Sequence, residues 1–208
     1  VKVPLQQTAT DVLGLEYKEI KPDVSISNVQ RKIKEKYVCI SIQSTAQCKY
    51  WNCKDGWKKI ISYLRKRGYK VICIDKWKVH GSKVMMNKIP PNVIDKSGCS
   101  LEDAKIYIRD AEFFIGISSG LSWLSWAIGT PVVMISSFSE PWFEFQSNIK
   151  RIYKNSKNSG FLNNIGFYNA AWDWNPIKRC KTFEDWNDFE PIREKDVIDG
   201  LEEIMNES

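Results

Sequence analysis

The sequence predicts an α/β fold, a Rossmann-like parallel sheet, on three observations. Short β-branched apolar runs recur through its middle, amphipathic helical patterns alternate with them, and the spacing suits right-handed crossovers between parallel strands. The runs are "YVCISI" (37–42), "YKVICID" (69–75), "EFFIGI" (112–117) and "PVVMIS" (131–136). At 208 residues, 43% hydrophobic and 27% charged, the chain is long enough for one sizeable core and an appendage.

Residues 1–30 show no sustained period and read as a connecting arm, with "VLGLEY" as a short strand or docking segment. The run at 37–42 is a buried strand. After it, Trp57, Ile60, Ile61 and Leu64 fall at i, i+3, i+4 and i+7, one face of a helix, and Gly68 stands where a C-terminal cap belongs. The strand at 69–75 leads into a loop over 76–98, broken by Pro90 and Pro91. Ser100 opens the next helix with Asp103 at its third position, a capping box, and Leu101, Ala104, Ile108 and Ala111 supply its inner face. "EFFIGI" is a third strand, "LSWLSWAI" a short helix ended by Gly129, and "PVVMIS" a fourth strand. Beyond Ser139 the texture turns rich in Asn, Gly and aromatics and reads as an irregular lobe, in which packing is the favoured role for Trp172 and Trp174 and lining a sugar pocket the alternative. "EKDVIDGLEEIM" closes the chain as a helix with Val197, Ile198, Leu201 and Ile204 on one face. The predicted division is an arm at 1–30, a Rossmann-like domain at 31–140, and an irregular lobe with a C-terminal helix at 141–208.

Composition narrows the function classes. The net charge of +6 comes from 31 basic and 25 acidic residues, interleaved along the chain. The densest basic segments, "RKIKEK" and "KKIISYLRKRGYK", read as polar faces of helices, which argues against nucleic acid as a partner. No apolar run is long enough to span a bilayer. The six cysteines contain no C-x-x-C, so a zinc ribbon is unsupported. Cys39 and Cys73 sit in strand runs as small hydrophobes, and a reducing, cytoplasmic setting fits best. G-x-G-x-x-G and the Walker lysine motif are absent. His80, the single histidine, has no nucleophile spaced to form a triad.

The chemistry is sought at the turns that leave the strands, where open parallel sheets bind ligands. The turn "QSTAQCKYWN" offers the hydroxyls of Ser44 and Thr45, the amide of Gln47 and the ammonium of Lys49. The turn in "GISSGLSWLSWAIGTP" places Ser118, Ser119 and Gly120 before a helix, with Ser122 just inside it. Unpaired N–H groups at a helix start accept an anion, Gly120 permits close approach, and Lys49 supplies full charge. Together they describe a diphosphate clamp. A serine before a helix is also a common N-cap, so Ser119 alone decides nothing.

At these residues the sequence resembles the autotransporter heptosyltransferases, relatives of the glycosyltransferase family 9 lipopolysaccharide enzymes. The resemblance runs from "LQQTATDVLGLEY" through the chain and is most specific in "STAQ-x-KYWN" and "SGLSWL-x-WA-x-GTPVV". It implies the C-terminal donor-binding half of a GT-B glycosyltransferase that moves a heptose from a nucleoside-diphosphate sugar, ADP-heptose, to a protein serine or glycan hydroxyl. It implies donor contacts from Ser44, Thr45, Gln47, Lys49, Ser118, Ser119, Gly120, Leu121 and Ser122. Asp75 is a candidate for the ribose, and Lys49 acts on the leaving phosphate as the catalytic residue. The catalytic base belongs to an N-terminal domain that these residues do not include; that domain and an acceptor are the implied partners, and a homo-oligomer is compatible. The family's four iron-binding cysteines correspond here to Lys157, Gly160, Asn175 and Asp188, with Cys180 the one thiol between 150 and 190. No metal or other cofactor is expected. Gln43 stands where the family carries a histidine, which implies a shifted donor preference. The alternative is a non-catalytic nucleotide-sugar-binding or interaction module.

Overall fold

The computed structural model describes residues 4–26, 28–45, 49–51, 53–81, 86–136, 143–153 and 192–207. The elements in the first half are α1 (Leu5–Val12), β1 (Tyr37–Ser41), α2 (Gly56–Lys66), β2 (Lys70–Cys73), β3 (Val79–His80), β4 (Asn87–Lys88) and β5 (Ile94–Asp95). There follow α3 (Leu101–Arg109), β6 (Phe114–Ile117), α4 (Gly120–Ile128), β7 (Val132–Ile135), β8 (Ile149–Ile152) and α5 (Glu194–Glu207).

β1, β6 and β7 are buried at every position, as strands covered on both faces must be. Six strands form one sheet in the order β5-β2-β1-β6-β7-β8, and every pairing in it is parallel. Alternation of side chains along each strand feeds two cores. Val38, Ile40, Ile115, Ile117 and Val133 pack with Ile60, Ile61 and Leu64 of α2 and Val197 and Leu201 of α5. On the other face Tyr37, Cys39, Phe114 and Met134 meet Ala104, Tyr107 and Ile108 of α3 and Trp126 of α4. Helices on both faces make this a Rossmann-like α/β domain.

The helix boundaries follow from local chemistry. Ser100 caps α3, its Oγ accepting from the Asp103 N–H at 3.0 Å. α2 ends where Gly68 takes φ +85°, so that the Tyr69 N–H reaches back to the Leu64 carbonyl at 3.1 Å, a Schellman closure. The last carbonyls of α3 are met from the core: the Tyr37 hydroxyl donates to Tyr107 O at 2.9 Å and the Thr130 hydroxyl to Ile108 O at 2.8 Å.

The structure departs from the sequence reading at five places. The loop over 76–98 contains a β3–β4 hairpin and β5, which extends the main sheet beside β2. Residues 149–152, assigned above to the irregular lobe, are the outer strand β8, and α5 covers them; the sheet therefore continues past residue 140. The arm contains a helix, α1, over Leu5–Val12 and no strand at 12–17. "RKIKEK" is not helical but a strap. Its charges are drawn onto the surface, Lys32 to Asp103 and Lys36 to 4.5 Å from the Tyr69 ring. Leu101 is 62% exposed rather than internal, because it opens α3 and faces a cavity. Residues 154–191, with Trp172, Trp174, Cys180 and the four positions matched to iron ligands, lie outside the described residues.

Candidate functional site

Ser41 of β1 lies opposite Gly116 of β6 in a parallel pair, so the turns that leave these strands are neighbours. From β1 the chain crosses toward β2, and from β6 it crosses the other way toward β7. The gap between them is the switch point at which open α/β sheets bind ligands. A cavity of about 550 Å³ occupies it, within the range of small-molecule sites.

Each wall comes from a different element. Gln43, Ser44 and Thr45 enter from the turn after β1, and Asp75, Lys76 and Trp77 from the end of β2. Ser119 and Gly120 form the start of α4, while Leu101, Leu121 and Leu124 make an apolar side. The two hydroxyl-rich turns expected from the sequence therefore do share one cavity.

The start of α4 is unusually bare. Ser119 is the N-cap with an extended backbone, yet its side chain makes no capping bond, and its Oγ is buried with no partner. An ideal Cβ built on Gly120 meets nothing within 4 Å. The N–H groups of the first turn carry partial positive charge. That of Ser122 bonds the Ser119 carbonyl at 3.1 Å, and this helix end borders a space kept open by a missing methyl and edged by an unspent hydroxyl. Gly116, by contrast, is needed for packing: a Cβ there would stand 2.5 Å from the Phe114 ring and 2.9 Å from Ser122 Oγ.

The remaining predicted residues divide. Ser122 is fully buried and donates to Ile117 O at 2.7 Å, holding α4 to β6 rather than facing the cavity. Ser118 is buried in the turn. Asp75 is 2% exposed; its carboxylate accepts from the Ser41 hydroxyl at 2.7 Å and from the N–H groups of Ile42 at 2.9 Å and Gln43 at 3.1 Å. Burial pushes that carboxyl above its ordinary range, against the hydrogen bonds that favour the anion. Its oxygens brace the turn after β1. Lys49 is half-buried and is not among the lining residues; Gln47 lies outside the described residues. Tyr50 and Trp51 of the same motif line a second cavity, of about 340 Å³, against α2.

Sequence reasoning missed Lys76 and Trp77, although the rule that ligands gather where strands end pointed to them. The Lys76 ammonium is 4.7 Å from the Trp77 ring centroid, and the Trp77 ring stacks on that of His80 with centroids 4.2 Å apart. Among the described residues no group of three or more His, Cys, Asp or Glu is placed to hold a metal ion, and no helix is long and apolar enough to cross a membrane.

Residues 5–144 match the profile of glycosyltransferase family 9 (heptosyltransferase). The chain is 39% identical over 179 residues to the autotransporter heptosyltransferase Aah of Escherichia coli, covering 85% of this chain and 46% of that protein. It is 30% identical over 169 residues to the inactive autotransporter heptosyltransferase BimC of Burkholderia thailandensis, covering 76% and 37%. The dodecameric iron-containing heptosyltransferase TibC of enterotoxigenic Escherichia coli, solved with ADP-D-beta-D-heptose, superposes with a TM-score of 0.84 at 34% identity. That superposition covers 99% of this chain and 54% of TibC. The chain thus spans less than half the length of the curated relatives it matches.

Proposed function

The chain belongs to glycosyltransferase family 9, and on that premise we propose that it is the donor-binding part of a GT-B enzyme that transfers a heptose from ADP-heptose to a hydroxyl of a protein or glycan. One observation carries the reading: the uncapped start of α4, with the unspent Ser119 hydroxyl and the open space over Gly120, faces the Ser44–Thr45 turn across a single cavity. A diphosphate satisfies both sides. In transfer, the bond from the anomeric carbon to the β-phosphate oxygen breaks, and the electron pair goes to the phosphate. The acceptor oxygen bonds to the anomeric carbon and loses its proton to a base on the preceding domain. N–H groups fixed where the negative charge develops lower the barrier without reorganising. Lys76 on the cavity wall and Lys49 from the turn after β1 supply the ammonium charge.

Calorimetric titration with ADP, ADP-heptose and the GDP and UDP sugars tests this. ADP and ADP-heptose are expected to bind, with roughly tenfold or greater loss in each of Ser119→Ala, Lys76→Ala and Lys49→Ala. A chain indifferent to every nucleotide favours the second reading, a non-catalytic interaction module, which the likeness to inactive BimC supports.

An iron site does not fit the donor set. Iron held by four cysteines needs four thiolates, and between 150 and 190 this chain has Cys180 alone. Buried free thiols at Cys39 and Cys73 support a reducing, cytoplasmic location. The arm at 1–30 is read as the connection to the preceding domain. Assembly into a homo-oligomer is proposed by likeness to dodecameric TibC.

A further inference from the structure

We propose that Gln43 determines donor specificity, its side-chain amide bonding sugar hydroxyls of the nucleoside-diphosphate sugar; this rests on the diphosphate reading of the same cavity. Gln43 is 5% exposed and lines the cavity. Its main-chain N–H is committed to Asp75 Oδ1 at 3.1 Å. Its side chain is committed to nothing: Oε1 and Nε2 are both buried without a hydrogen-bond partner. A primary amide brings two donors and two acceptor lone pairs, and burying all of them unmet opposes folding. An apolar side chain of equal length would fill the space without that cost. The amide is therefore explained by a partner that arrives with the ligand.

Among the described residues that line the cavity, two carry orphaned groups, Gln43 and Ser119, and their surroundings differ. Ser119 stands at the positive end of α4, where an anion is favoured. Gln43 stands on the turn whose main chain binds the buried Asp75 carboxyl, away from that helix start and with acceptor oxygens rather than N–H donors behind it, where neutral hydroxyls fit better than a phosphate. A vicinal diol offers a donor and an acceptor side by side, as a primary amide does. The ribose and the transferred sugar both carry such hydroxyls. The phosphates fall to α4 and the hydroxyls to Gln43.

Gln43→Met keeps the length and removes every hydrogen-bonding atom. The 208-residue chain and this variant are titrated with inorganic pyrophosphate, ADP and ADP-heptose, and the melting midpoint of each unliganded chain is recorded. Expected are equal pyrophosphate affinities, a roughly tenfold weaker sugar-bearing ligand, and a midpoint raised by about 2–4 °C as the orphaned amide is removed. Weakening of both ADP and ADP-heptose identifies the ribose hydroxyls; weakening of ADP-heptose alone identifies the transferred sugar. Equal affinity for all three ligands overturns the proposal, as does a lowered midpoint in both Gln43→Met and Gln43→Leu, which marks a structural role. A parent chain that binds none of the three overturns the diphosphate reading and this one with it.

Discussion

Ser100 and Ser119 occupy the same position at the start of a helix, and their hydroxyls meet opposite fates. The first caps α3 through the Asp103 N–H; the second is unpartnered. Ser100→Ala is therefore expected to cost about 1 kcal/mol in a urea titration. Ser119→Ala is expected to leave stability unchanged or higher while weakening ADP binding; a loss equal to that of Ser100→Ala would make it an ordinary cap. Gly120→Ala belongs to the same argument. The added methyl meets nothing in the fold and gains up to about 1 kcal/mol of helix propensity, so the expected result is a stable chain with impaired nucleotide affinity. The Ser-Ser-Gly turn was legible in the sequence because hydroxyls and glycine before a helix have a chemical meaning in one dimension. At Gln43 the resemblance implied only a shifted donor preference, since an orphaned amide is defined by neighbours that only the fold brings near.

Among the elements, the alternating strands and amphipathic helices were legible because each repeats its period over enough residues. β3, β4 and β5 span two residues each, too few to show any period, and β8 is visible only through its pairing with β7. α5 shows its apolar stripe, but not the charges that join it to α2. Lys59 pairs with Glu194, and Arg67 and the Tyr63 hydroxyl both donate to Glu202 at 2.8 Å. The Lys59 ammonium, with backbone N–H and the Cys53 thiol, draws the Glu194 carboxyl down to about 2. A carboxyl depressed on folding stabilises above its unfolded pKa of about 4.3, and that contribution is lost as pH falls toward about 2. Urea midpoints at about pH 5 and about pH 3 should differ less in Lys59→Met than in the parent. An unchanged difference would remove Glu194 from the acid limb. Leu201 is fully buried in the same layer, and Leu201→Ala is expected to cost about 2–5 kcal/mol.

At the scale of the molecule the arm is fastened from its middle onward. The Glu19 carboxylate accepts from the N–H groups of Gln146 at 2.6 Å and Ser147 at 3.0 Å. Farther along, Lys105 reaches Ser25 O at 2.7 Å and Arg109 reaches Val29 O at 2.9 Å. α1 buries no residue, and Leu5, Val12, Leu13 and Leu15 are exposed. Removing residues before 16 is expected to leave the melting midpoint unchanged, whereas Glu19→Ala should speed proteolytic cleavage of the arm; a large drop on truncation would show that α1 supports the sheet. A connecting arm was legible from its lack of period. Its fastenings were not, because they join side chains to main-chain groups more than 70 positions away.

Asp75 grips the main chain of residue 43 and leaves its side chain alone. On the proposed role of that side chain, heritable change at its codon alters what the crevice recognises while its contour stays as it is. Shape and selectivity would then descend through different residues, one mutational step moving the second without the first.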